Sequence, residues 1–329
     1  MSIPTSQGKF PPPPGLLASI MAGFDSVATH IAVILPPVLL DLFLWLGPHL
    51  RLKQFLQPVI SQLPSLTTSF PASFPDLATI QANWNAIAEN FNLFVILRTF
   101  PVGITSLLSF KTLAQNPLGI PQTLDAGSFV GILGWALVLV FVGWITGGIY
   151  YYWVSRVALK SDVRTLGKSL GQALLLSIIW AGLLFLIGLP VLIVLTILTV
   201  VSTVLGQIAL FAGAIMIIWL VMPIFFSAHG IFTFQLDALR AILSSLRMVR
   251  FTLPNTGMFL LFFLLINYGL NYLWTTPAQT SWWMLVGIGG HAFVSTALLA
   301  ASFIYYRDIN AWLKVIFEQL QSQATSAKA

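Results

Sequence analysis

The sequence predicts an all-α fold: a polytopic transmembrane helical bundle of six or seven spans with cytoplasmic amphipathic connector helices. Three observations predict it. Only 7% of the 329 residues are charged and 57% are hydrophobic, whereas a soluble globular domain carries roughly 25% charge. Three stretches contain no Asp, Glu, Lys or Arg at all: 126–155, 169–236 and 251–306. Within them the apolar residues run continuously and do not alternate, which favours helices over barrel strands. Lipid offers no hydrogen bonds, so each stretch must satisfy its own backbone. A span takes about 20 residues, so the second and third stretches each hold two.

Taken in order, a Pro-rich leader (1–23) precedes a single transmembrane domain (24–310) and an amphipathic C-terminal tail (311–329). The leader has Pro11-Pro12-Pro13-Pro14 and no apolar core, so it reads as stiff polyproline II and not as a signal peptide. Spans are expected at about 24–46, 91–110, 128–153, 171–197, 206–228, 256–275 and 282–305. The fourth and fifth form a tight hairpin near Ser202–Gln207, and Pro277 separates the sixth from the seventh. A polar insert covers 54–90. Four prolines keep its first half irregular, and 76–90 can form a short surface helix carrying Trp84 and Glu89. Trp and Tyr cluster at the span ends, at headgroup depth.

The connectors set orientation. Arg156, Lys160, Arg164 and Lys168 are spaced four apart, which places them on one face of a helix between the third and fourth spans. Asp237, Arg240, Arg247 and Arg250 stand opposite Leu239, Ile242, Leu243 and Leu246 between the fifth and sixth. The positive-inside rule puts these connectors and the C-terminus in the cytoplasm, in a multi-pass protein of a bacterial plasma (inner) membrane. The second span is the weakest, because it carries Arg98 and Pro101. If it crosses, the N-terminus is outside. If it is re-entrant or interfacial, the N-terminus is inside and 48–127 is an external insert. Seven crossings keep Arg51 and Lys53 inside and are preferred.

Net charge is +6, gathered between apolar segments. The expected partners are therefore membrane lipids with anionic headgroups, contacted by the seven connector cations named above other than Asp237, and a further membrane protein. No basic–aromatic stripe suited to nucleic acid is present. There are no cysteines, the four His residues are scattered, and no P-loop, HExxH or GxSxG motif occurs. The sequence thus calls for no cofactor, no metal and no catalytic residue.

Ionisable residues within spans are the functional candidates. Asp41, His291, Asn267 and Asn271 form a candidate polar site between the first, sixth and seventh spans. Asn267 and Asn271 share a helix face. His30 and Asp41, three turns apart, share one unless Pro36-Pro37 rotates it. The alternative is plain interhelical hydrogen bonding, or capping at the interfaces for Asp25 and Asp41. Arg98 pairs with Asp41 or Glu89, or snorkels. His229 is expected at the cytoplasmic end of the fifth span in an interfacial or capping role.

The helix from Ala238-Leu239-Arg240 through Ser244-Ser245-Leu246-Arg247 to Val249-Arg250, and the closing Phe303-Ile304-Tyr305-Tyr306-Arg307-Asp308, resemble the YciC-like and glycerophosphodiester-phosphodiesterase membrane-domain superfamily over about 206–310. The family's final span ends in a Tyr-Tyr-Asp-Arg-like edge, here in the order Arg307-Asp308. The resemblance implies a polytopic bacterial membrane domain and no defined activity. Three functions are compatible with these features: a non-enzymatic membrane component acting through helix packing and lipid or partner contacts, a small-solute or ion transporter using the polar site, or a lipid-modifying enzyme, which requires a cytoplasmic-side cavity holding Asp237 or Asp308 beside basic residues.

Overall fold

A computed structural model describes residues 11–67, 77–109, 115–160 and 165–326. The described residues are 80% helical with almost no strand. Helix α1 (Leu16–Thr29) stops at His30, whose φ of −126° and ψ of 57° are not helical. A 3₁₀ turn, Ile31–Ile34, leads into α2 (Leu35–Leu46). The expected first span is therefore broken. Pro36 and Pro37 sit in the first turn of α2, where a missing N–H costs nothing. The same rings would clash with carbonyls four residues back, so a helix cannot run into them. His30 and Asp41 consequently lie on different helices and share no face.

The second expected span is not a helix. Residues Leu93–Leu97 form a 3₁₀ turn, and 98–109 are irregular. Pro101 cannot continue an α-helix interior, and Gly103 folds so tightly that a Cβ there would meet the Thr99 carbonyl. The 54–90 insert also differs from expectation. Its first half is helical, α3 (Lys53–Thr67), with Pro58 and Pro64 inside it; Pro71 and Pro75 lie outside the described residues. The second half is α4 (Leu77–Asn90), as expected, and packs on α3. A parallel pair, β1 (His49–Arg51) and β2 (Thr123–Asp125), puts Leu50 opposite Leu124. The all-α reading did not include it.

Helix α5 (Phe129–Leu159) ends at Lys160, which adopts a left-handed φ of 48°. Helix α6 (Leu166–Leu183) starts after Thr165. Arg156, Lys160 and Lys168 therefore do not line one helix face, and Arg164 lies outside the described residues. Helix α6 continues through a π segment, Leu184–Gly188, into α7 (Leu189–Val201). Pro190 explains the wider turn, because its ring would clash with the Leu186 carbonyl in a regular helix. Only Ser202 separates α7 from α8 (Thr203–Phe234), and its side chain accepts from the Leu205 N–H at 3.4 Å. This is the expected hairpin.

Helix α9 (Ala238–Trp274) is kinked at Thr252, with φ −124° and ψ 23°. Pro254 forces the break by removing a bond to Arg250. The 237–250 connector and the sixth span are thus separate helices end to end. Helix α10 (Met284–Ser326) runs without interruption through the expected tail boundary, so 311–326 is an extension of the last span and not a separate element.

Four helices among the described residues are long and apolar enough to cross a membrane, or five if the broken α1–α2 pair is one span. Helix α8 contributes two further apolar segments, Thr203–Ala214 and Met222–Phe234. Leu184, Phe185 and Leu186 are more than 70% exposed, and α7 buries no residue at all. Such surfaces are suited to lipid and not to water. The protein is a membrane-embedded, multi-pass, α-helical protein.

The chain divides into two compact units. The first comprises Met1–His30, Tyr152–Ile266 and Ala297–Ala329. Its core is aromatic: Phe226, Phe259, Tyr305 and Tyr306 pack with Met248 and Ala301. Phe259 stacks on Tyr305 with centroids 4.3 Å apart. Gly23 lets α1 touch α10, since a Cβ there would lie 2.5 Å from Ala297 O and Ala301 N. Trp312 donates to the Pro11 carbonyl at 2.8 Å, which ties the leader to the end of α10. The second unit comprises Ile31–Tyr151 and Asn267–Thr296. Trp45, Leu107, Leu108, Met284 and Ile288 form its apolar centre.

Candidate functional site

The second unit is built around a carboxylate. Helix α2 buries Leu40, Asp41, Leu44 and Trp45 on one side, and Asp41 is fully buried. Asp41 Oδ1 accepts from the Ser106 hydroxyl at 2.5 Å and the Leu108 N–H at 3.2 Å. Its Oδ2 accepts from the Leu107 N–H at 2.9 Å. Non-helical backbone at membrane depth is tolerated only inside protein, with its polar groups satisfied. Asp41 supplies that satisfaction for the irregular 98–109 segment.

Other side chains complete the wrapping. Asn92 Oδ1 accepts from the Leu50 and Phe94 N–H groups. Thr99 donates to Val102 O at 2.7 Å, and Tyr151 to Pro101 O at 3.3 Å. The Thr105 and Ser295 hydroxyls are 2.9 Å apart, as are those of Tyr150 and Thr296. Asn116 Nδ2 donates to Trp45 O, and Trp45 Nε1 to Gln279 O. Two glycines of α5 admit the segment: a Cβ on Gly143 would meet Leu97 O, and one on Gly147 would meet Gly103 Cα, both at 2.6 Å.

Of the four expected site residues, His291 and Asn271 are in direct contact, with His291 Nδ1 2.7 Å from Asn271 Oδ1. The amide oxygen only accepts, so the network places the imidazole proton on Nδ1. His291 Nε2 is then a buried acceptor without a hydrogen-bond partner among the described residues. Asp41 makes no hydrogen bond to this pair. Both interact electrostatically with Arg98, as do Tyr151 and Tyr268. Arg98 also donates to Ser109 Oγ at 3.1 Å. Asn267 is half-buried one turn from Asn271. Glu89 pairs with Lys53 at 3.3 Å.

His229 packs inside the helices and not on their surface. It is fully buried, with Nε2 2.7 Å from Ser302 Oγ and Nδ1 3.1 Å from Phe225 O. Phe225, Phe226, Phe303 and Tyr306 surround its ring.

The described connector cations fall in the first unit. Arg156 lies 5.8 Å from the centre of the Tyr152 ring, and Lys160 and Lys168 are exposed. Within 238–252 the faces are not divided as the sequence suggested. The buried face is Ala238, Ala241, Ser245, Met248, Val249 and Thr252. Leu239, Leu243 and Leu246 are exposed by 64%, 63% and 51%, on the same outward side as Arg240, Arg247 and Arg250.

Sequence reasoning missed Ser106, Asn92, Asn116 and Ser302. Each is a common polar residue whose partner is distant in sequence, so no local pattern marks it. No group of three or more His, Asp or Glu suited to a metal occurs among the described residues. No family model, no curated protein and no solved structure matches the chain.

Proposed function

We propose that this chain is a non-enzymatic component of a plasma membrane that acts through helix packing and through contacts with lipid or a partner membrane protein. The observation that carries this reading is the state of Asp41. Its two oxygens accept three hydrogen bonds from one loop, so three of its about four acceptor positions are used to hold the fold together. A substrate or ion site would keep carboxylate lone pairs open to a cavity. The reading includes six crossings with both termini cytoplasmic. The Trp312–Pro11 bond supports it by tying the two chain ends to one side, and the basic connectors support the cytoplasmic assignment. The YciC-like resemblance stands as a proposal of kinship.

The test is purified protein in liposomes loaded with ion- or solute-sensitive dyes. No saturable flux above empty vesicles is expected. Flux abolished by Asp41→Asn in a folded protein would overturn the proposal. A transporter is the second reading, favoured by the unpartnered Nε2 of His291 beside Arg98. It predicts flux that His291→Phe removes without changing the melting temperature.

A further inference from the structure

The outward face of 238–252 separates its two chemistries. At 100° per residue, Leu246, Leu239 and Leu243 occupy one flank, with Arg250 among them, while Arg247 and Arg240 occupy the other. A cleft opens beside each flank. The cleft on the arginine side, about 550 Å³, is lined by Arg240, Ser244, Arg247, Asn310 and Lys314 over an apolar floor that includes Leu313 and Phe317. The cleft on the leucine side, about 650 Å³, is mainly apolar: Pro223, Leu246, Val249, Phe251 and Leu253 line it together with Arg247 and Arg250. Leu243 and Arg247 line both.

The acidic groups beside the cations leave them available. Asp237 approaches Arg240 only to 3.9 Å, and Glu318 approaches Lys314 only to 4.0 Å, all four being half-exposed or more. One acid, Glu318, stands in the cleft against three cations. Ser244 and Asn310 add neutral hydrogen-bonding groups. Tyr306 O–H is 3.0 Å from Ser244 Oγ, and Asn310 donates to Tyr306 O at 2.7 Å.

We propose that these adjoining clefts form a binding site for one anionic phospholipid. The phosphate lies among Arg240, Arg247 and Lys314, and an acyl chain lies along Leu246, Val249, Phe251 and Leu253. Basic pockets between helices at the cytoplasmic face suit such headgroups, and Arg presents a fork matched to phosphate oxygens. The apolar cleft selects a lipid over a free phosphate ion, which would leave it empty. The site rests on the proposed lipid-contact function but is tested separately from it.

The experiment is titration of the full chain in detergent with phosphatidylglycerol and, separately, phosphatidylcholine, read as bound adducts by native mass spectrometry. Wild type is expected to prefer the anionic lipid. The triple variant Arg240→Gln, Arg247→Gln, Lys314→Gln is expected to lose this preference by about fivefold per cation, on the order of 100-fold in all. Arg51→Gln with Lys53→Gln, in the other unit, is expected to leave it unchanged. Excess inorganic phosphate, added at constant ionic strength, is expected not to compete. Leu246→Gln with Val249→Gln tests the acyl cleft and is expected to weaken lipid binding. Equal binding of the two lipids by wild type, or an unchanged triple variant, overturns the site, as does competition by free phosphate. In case the triple variant does not fold, wild type alone decides: the preference must shrink between 0.1 and 1 M salt, as the screening length falls from about 10 to about 3 Å. Solute flux in liposomes would defeat the proposed function and leave this site standing.

Discussion

The two units bury their interiors by different means. The first packs Phe226, Phe259, Tyr305 and Tyr306 between helices whose backbones are already satisfied internally. Its polar contacts include side-chain pairs, such as Thr256–Tyr305 at 3.1 Å and His229–Ser302 at 2.7 Å, and single bonds to helix backbone, such as Ser245 to Pro223 O at 2.6 Å. The second encloses a segment with no helix of its own, so its interior must hydrogen-bond backbone as well as fill space. Asp41 and Asn92 accept backbone N–H groups, and Asn116 donates to a backbone carbonyl. Polar side chains are therefore accessories in one unit and structural necessities in the other.

That contrast can be broken experimentally. Asp41→Ala leaves three buried donors without an acceptor, and should cost about 3–9 kcal/mol at about 1–3 kcal/mol per orphaned group. The measurement is the melting temperature in detergent, with protease cleavage within 98–109 as a local readout. An Asp41→Ala protein as stable as wild type would erase the distinction. Gly147→Ala should come next, at about 1–3 kcal/mol, because its Cβ would meet Gly103 backbone that cannot rotate away.

Tyr305→Phe in the first unit should cost only about 0.6 kcal/mol, typical of one interhelical hydrogen bond in a membrane. The Phe259 stack is retained. A loss comparable with that of Asp41→Ala would show that the first unit also depends on polar bonds.

The smallest effect is pH-dependent. Burial and the neighbouring Arg51 hold His49 below the ordinary imidazole range. The unfolded chain then takes up a proton at higher pH than the folded one. Stability is present above the unfolded value near 6.5 and declines as pH falls toward the folded value. Melting temperature measured from pH 7.5 down to 5.5 should fall slightly in wild type, and His49→Gln should flatten that slope.

The sequence made much of this visible. The uncharged runs located α5 through α10, and Pro277 marked a real break. Asp41 was a candidate because it is an acid in an apolar run, but its full burial, in place of capping at an interface, came from the fold. The face of 238–252 misled for a definite reason. Leucines opposite arginines resemble a helix packed on protein, but the closely packed side uses Ala238, Ala241 and Ser245, small enough to admit neighbouring helices.

By itself the sequence determined the solvent of this protein and its helical class, because scarcity of charge over long runs leaves lipid and internally bonded helices as the only solution. Only the tertiary structure decided that 91–110 is not a span and that Asp41 holds it. The reason is that a proline- and glycine-bearing segment becomes tolerable at membrane depth through acceptors on α2, far away in the chain. Periodicity reports neighbours three or four residues apart and carries no record of that contact.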